Sequence, residues 1–141
     1  MKLQEILNAK GSEVFCTSPD ATLQEVVQKL VEHNCGSLVV GNRQKVLGII
    51  TERDILRACA NRQVSLADIR VSQAMSTNLT TGSPSDSVEN IMGLMTSKRI
   101  RHLPILADGK LAGMISIGDL VKAQHDQLNV ENHYLKNYIQ G

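Results

Sequence analysis

The sequence contains no tryptophan, one phenylalanine and two tyrosines, 2% aromatics in all. Proteins that hold single-stranded nucleic acid stack its bases on aromatic rings, and this chain has almost none to offer. Nor is there a surplus of either charge. Fifteen Lys and Arg stand against 14 Asp and Glu, a formal net charge of +1, which provides no overall field for a polyanion. Nucleic acid is therefore disfavoured as a partner class. Cysteine is scarce: Cys16, Cys35 and Cys59 form an odd, widely spaced set without a CxxC pair. Neither a disulfide framework nor a zinc knuckle is expected, and reduced thiols in the cytoplasm are the plain reading. Long apolar runs are missing too. The stretch from Val46 to Thr51 is strand-length, far short of the ~20 residues of a membrane-spanning helix. Met1 to Ile6 lacks the continuous apolar segment of a signal peptide. The expectation is a soluble, cytoplasmic protein with no membrane association.

What remains is ordinary for a globular protein: 42% hydrophobic and 21% charged residues in a chain of 141. That length suits one compact body or two half-size units sharing a core, with no room for a catalytic domain beside a regulatory one.

Sliding the sequence over itself at an offset of 65 aligns residues 18–58 with 83–123 without a gap. Eight of these 41 positions are identical, among them Ser18/Ser83, Pro19/Pro84, Gly48/Gly113 and Asp54/Asp119, where composition alone gives roughly two or three. Apolar residues also fall opposite one another, as in Leu23/Val88, Val26/Ile91, Leu30/Met95 and Leu56/Val121. The chain is an internal duplication.

Each unit reads as β-α-β-β-α. Thr22 and Ser87 cap helices whose apolar residues keep the i, i+3, i+4, i+7 spacing of one buried face, over residues 22–33 and 87–98. The β-rich runs Ser37 to Gly41 and Val46 to Thr51 flank a polar turn, and His102 to Leu106 and Leu111 to Ser116 repeat the hairpin. Second helices run from about Glu52 to Ala60 and from Ile117 to about Gln127, and short strands are expected near Val14 to Cys16 and Asn78 to Thr80. A small helix precedes each unit, Leu3, Ile6 and Leu7 matching Val71, Ala74 and Met75 at offset 68, so three extra residues enter near Lys10-Gly11-Ser12. Asn61 to Ile69 is the natural linker. Tyr134, Leu135, Tyr138 and Ile139 suit a short amphipathic helix packed on the body or on another subunit. The domains are thus residues 1–64, 65–130 and a tail, 131–141.

The densest chemical signal lies at the strand-to-helix junctions, Gly48-Ile49-Ile50-Thr51-Glu52-Arg53-Asp54 and Gly113-Met114-Ile115-Ser116-Ile117-Gly118-Asp119. A strand glycine permits close approach, and a hydroxyl with free N–H groups at a helix start suits a phosphate. An aspartate one turn on suits a pair of sugar hydroxyls, which together describe a ribonucleotide site. The same triplet also reads as a capping box.

The repeat length, the Ser-Pro-Asp-Ala-Thr lead-in and the two junctions resemble the CBS domain, named for cystathionine β-synthase, over nearly the whole chain. The resemblance implies a tandem α/β pair packed sheet to sheet as one pseudo-symmetric module, with adenosine ligands such as AMP, ADP, ATP, NAD or S-adenosylmethionine in two clefts. It implies that Asp54 and Asp119 take ribose hydroxyls, and that Thr51 and Ser116 sit near ribose or phosphate. Backbone near Gly36-Ser37 and Arg101-His102, ahead of Pro104, would read the adenine edge, each facing the aspartate of the opposite repeat. Arg53 is a partner for Asp54 or for a ligand. Lys10, Lys98 and Arg99 are phosphate candidates, and the clustering of Lys98, Arg99, Arg101 and His102 makes the clefts unequal.

Enzyme signatures are missing. No P-loop or G-x-G-x-x-G occurs, Ser116 lacks the first glycine of G-x-S-x-G, and no histidine pair has metal-ligand spacing. The expectation is a non-enzymatic adenine-nucleotide sensor acting in signal transduction as a homodimer, with no metal and no catalytic cofactor. The alternative is an interaction module with vestigial clefts that docks on a protein partner.

Overall fold

The computed structural model describes residues 1–61 and 63–140. The first half runs α1 (Leu3–Lys10), β1 (Cys16–Thr17), α2 (Leu23–His33), β2 (Ser37–Gly41), β3 (Val46–Thr51) and α3 (Glu52–Ala60). After a 3₁₀ turn at Leu66–Asp68 come α4 (Val71–Ala74), α5 (Val88–Lys98), β4 (His102–Ala107), β5 (Lys110–Ser116) and α6 (Ile117–Gln140). One sheet is ordered β1-β2-β3, with β1 parallel to β2; the other is the antiparallel hairpin β4-β5.

The capped helices form as their spacing dictates. The Thr22 hydroxyl accepts from the Glu25 N–H and the Ser87 hydroxyl from the Asn90 N–H, which satisfies donors that a helix start otherwise leaves free. Leu23, Val26 and Leu30 of α2 pack with Leu38, Val40 and Ile50 of the first sheet. Val88, Ile91 and Met95 of α5 pack with Leu103, Ile105 and Ile115 of the second. Val39, on the other face of β2, is also fully buried, so the first sheet is covered on both sides. The two hairpins touch: the Leu111 N–H donates to the Arg43 carbonyl at 2.9 Å.

The small helices are exchanged between the halves. Leu3, Ile6 and Leu7 of α1 lie in the core of the second repeat, whereas Val71, Ala74 and Met75 in and after α4 belong to the first. Matching backbone bonds fix both. Leu3 N–H donates to Asp86 O, Gln4 to Pro84 and Val88 to Met1; in the other half Val71 donates to Ala21, Ser72 to Pro19 and Leu23 to Ile69, all at 2.8–3.0 Å. The two sets are related by the offsets of 65 and 68 seen in the sequence.

Two expectations change, and a third narrows. Asn78 to Thr80 forms no strand; its half makes a single parallel bridge at Gly82 to Ile105. The last helix does not end near Gln127 but continues to Gln140, so the tyrosines sit on α6 and not on a separate short helix. Nor does that segment pack on the body, since Tyr134, Leu135, Tyr138 and Ile139 are 59–86% exposed. Of the linker expected at Asn61 to Ile69, Arg62 lies outside the described residues.

The strand glycines mark where the exchanged segments press on the sheets. A Cβ at Gly48 would stand 2.6 Å from the Ser76 carbonyl oxygen, and one at Gly113 would stand 2.6 Å from a Leu7 methyl. Backbone yields less readily than the end of a side chain. Gly48→Ala is therefore expected to destabilise the fold by roughly 1–3 kcal/mol and Gly113→Ala by less, read from urea unfolding of both variants; equal costs, or the reverse order, would contradict this packing.

Candidate functional site

Both junctions carry the same construction. At the first, the Thr51 N–H donates to Asp54 Oδ2 at 2.9 Å while the Asp54 N–H returns to Thr51 Oγ1 at 3.4 Å. At the second, the Ser116 N–H donates to Asp119 Oδ2 at 2.8 Å and the Asp119 N–H returns to Ser116 Oγ at 3.1 Å. The capping boxes foreseen as one reading of the triplet thus form in both halves, and they fix each carboxylate at the mouth of its helix. Asp54 is 7% exposed and lies on the wall of a cleft of about 580 Å³. The rest of that wall comes from Arg57, Ala58 and Asn61 of the first repeat and from the connector, including Ile69, Met75 and Ser76. The connector is held there by the exchange of α4.

The surroundings of the two aspartates differ. The cation beside Asp54 is Arg57, with Nη1 3.8 Å from Oδ1; it stands one turn on along α3, where i,i+3 side chains meet, and the adjacent Arg53 is exposed. Asp119 is held from a distance. Lys10 Nζ, at the end of α1, donates to Asp119 Oδ2 at 2.7 Å and to the Met114 carbonyl at 2.8 Å.

A sequence model of the CBS domain matches residues 9–61 and again 67–126. The chain belongs to the CBS-domain family. It is 40% identical over 139 residues to the CBS domain-containing protein CBSX3, mitochondrial, of Arabidopsis thaliana, spanning 95% of this chain and 67% of the relative. The crystal structure of the CBS-domain containing protein ATU1752 from Agrobacterium tumefaciens superposes with a TM-score of 0.84 at 37% identity, covering 88% of this chain and 99% of that one. The CBS domain pair of protein MJ0100, in complex with 5′-methylthioadenosine and S-adenosyl-L-methionine, superposes with a TM-score of 0.79 over 90% of this chain and 98% of that one; at 20% identity this is a likeness of fold alone.

Within this CBS pair the remaining candidate residues gather around their own junctions. Ser37 lies opposite Thr51 in the β2–β3 register and His102 opposite Ser116 in β4–β5, while Gly36 O accepts from the Glu52 N–H and Arg101 O from the Ile117 N–H. Across the repeats it is Gly36 and His102 that meet: a Cβ at Gly36 would stand 2.5 Å from Glu52 Oε1 and 3.0 Å from His102 Nε2. Neither Arg101 nor His102 lines the cleft beside Asp54. Pro104 is buried in β4, its carbonyl accepting from Gly82. Lys98 ends α5 and Arg99 is its left-handed C-cap, both exposed. Burial holds the His102 imidazole below its ordinary pKa, helped by the charges of Arg101 and Lys10 and opposed by Glu52 and Asp119; it is not a cation for phosphate at neutral pH. The sequence missed Arg57 and Glu52, although the i,i+3 spacing from Asp54 was there to find the first.

Burial raises the Asp119 pKa, but the Lys10 ammonium and the N–H and hydroxyl of Ser116 outweigh it and hold the carboxyl below its ordinary 3.8. A carboxylate depressed in the folded state stabilises above its unfolded pKa and ceases to do so as pH falls through the folded value. Lys10→Met is therefore expected to lower stability at neutral pH by no more than about 1 kcal/mol, the pair being partly exposed. Calorimetric scans from pH 7 downward should show the gap between the two proteins closing below pH 3.8; a gap that is constant with pH would mean that Lys10 acts by packing.

Proposed function

We propose that this CBS pair is a regulatory module, without catalytic activity, that binds an adenosine-containing ligand such as AMP, ADP, ATP, NAD or S-adenosylmethionine. The observation that carries the reading is the capped carboxylate of Asp54 on the wall of a cleft of about 580 Å³, within the 300–1,000 Å³ range of small-molecule sites. In this reading Asp54 and Asp119 accept ribose hydroxyls, and Thr51, Ser116 and the backbone at Gly36, Ser37, Arg101 and His102 complete the surroundings. The adenosine ligands of the MJ0100 pair lend support by fold. Ligand binding would then signal by favouring one arrangement over another. The free cysteines favour a reducing compartment, the cytoplasm.

Asp54 also caps α3, so alanine would cost stability as well as affinity, and Asp54→Asn is the cleaner probe because its amide oxygen still accepts. Isothermal calorimetry should find affinity for AMP at the Asp54 cleft lowered at least tenfold by loss of the charged acceptor, on the scale of about 1.5–3 kcal/mol per such hydrogen bond. Normal binding by a well-folded Asp54→Asn protein would remove the ribose assignment.

Assembly as a homodimer belongs to the same proposal. Leu56 on α3 and Val121 on α6, equivalent in the duplication, are 69% and 55% exposed, a pseudo-symmetric apolar pair on the outward helix faces. Sedimentation should give twice the chain mass for the unmutated protein and the single mass for Leu56→Glu with Val121→Glu; a monomer at micromolar concentration in the first case ends this part of the reading. The exposed apolar side chains at the end of α6 favour the second reading, docking on a protein partner. That reading takes precedence if no adenine nucleotide raises the melting temperature, since a ligand at 100 times its Kd adds roughly 2.7 kcal/mol.

A further inference from the structure

Past Gln127 every described side chain of α6 is exposed, and the apolar ones keep to one side. Leu128 and Leu135 continue, at seven-residue steps, a stripe that begins on the body at Val121, and Tyr138 and Ile139 border it. These four side chains are 57–86% exposed. The same stretch is rich in Asn, His and Tyr, which are weak helix formers, and a short helix of such residues depends on packing for its stability. With no Gly or Pro between Asp119 and Gln140, the tail has no hinge at which to fold back on its own body. The surface that covers it belongs to another molecule.

Charge decides which one. Glu131 lies within the stripe, three residues after Leu128 and four before Leu135, so a parallel pair of tails would set one Glu131 against the other. An anionic membrane would find a single lysine, Lys136, among residues 128–139, where helices that lie on membranes carry many. The complementary face is on α3. Arg53, Leu56 and Arg57 share one side of that helix at i, i+3 and i+4, with Leu56 69% exposed. Arg57 leans toward Asp54, and the Glu52 carboxylate is turned toward Gly36 and His102. Among the described residues neither Arg53 nor Glu131 has an oppositely charged partner. Each face is thus an apolar centre with one unpaired charge, and the two signs are opposite.

We propose that in the homodimer the tail of each copy lies on α3 of the other, with Leu128 and Leu135 astride the partner's Leu56 and Glu131 paired with the partner's Arg53. The inference rests on the homodimer reading and names what the two copies exchange. Because each copy gives a tail and receives one, the pairing is self-complementary and closes at two chains. It also reaches the candidate site. Arg57 stands both on this face of α3 and in the wall of the cleft beside Asp54, so the partner's tail borders that cleft.

The test is the dimer dissociation constant of the full chain, read by sedimentation over a range of concentrations, with circular dichroism to check the fold of each variant. Leu135→Glu should raise it about tenfold or more, since the two-fold repeats every lost contact. Glu131→Arg and Arg53→Glu should each do the same by setting like charges together. The two combined in one chain rebuild the pair with its signs reversed, and should bring the constant back to within about threefold of the unmutated value. A dimer indifferent to Leu135→Glu and Glu131→Arg overturns the proposal and leaves the homodimer reading, through Leu56 and Val121, standing. Weakening by each single change without recovery in the combined variant overturns the assignment of α3 as the surface that receives the tail. If the unmutated chain is monomeric at micromolar concentration, both readings fall together.

Discussion

Each half of this duplication is too small to close its own core, and the structure answers by trading helices. A unit of about 65 residues buries a modest fraction of its surface, and here the apolar face of α1 completes the second half while α4 and the residues after it complete the first. The trade is fixed by two matching sets of three backbone hydrogen bonds between the small helices and the segments leading into α2 and α5. Backbone groups in such a place must find partners once water is excluded. Either half alone would leave both an uncovered core and unpaired N–H groups, so the two repeats fold as one body.

The same exchange places the candidate site. Because α4 belongs to the first half, the connector at Met75 and Ser76 runs close over Gly48 and walls the cleft beside Asp54. The capping box then gives the carboxylate one oxygen committed to the Thr51 N–H and sets its direction. Capping and the proposed ligand binding, rival readings of the triplet, would use different lone pairs of the same side chain. A cap holds the acceptor still, and an acceptor held still loses less entropy on binding.

Much of this was legible in the sequence, for reasons that residues make plain. The hairpin Ser37 to Thr51 and helix α3 coincide with their expected limits, because a polar turn, a run of β-branched residues and a hydroxyl cap each act locally. The offset of 68 exposed the kinship of α1 and α4, but periodicity shows only that a face is apolar, never which surface covers it, so the exchange was invisible. Asn78 to Thr80 offers a single apolar side chain, Leu79, and the pairing shrinks to one bridge at Gly82. The helix expected to end near Gln127 runs on to Gln140. Nothing from Asp119 to Gln140 breaks a helix, since no Gly or Pro intervenes, and residues 128–139 of it are exposed.

Lys10 was singled out as a phosphate candidate on the strength of its place in a three-residue insertion, and its contact to Asp119 spans 109 residues of sequence. No local pattern reports a contact of that range. The insertion nevertheless explains how the surroundings of the two junctions could diverge. A duplicated fold constrains the capping boxes, the strand glycines and the core alike, because a change in any of them is felt in packing. The connector between a small helix and the first strand is constrained only at its ends, so three residues could enter there without disturbing either core. Asymmetry was thus least costly in the segment that reaches the opposite junction, and a single ammonium there distinguishes two capped junctions that the rest of the fold keeps alike.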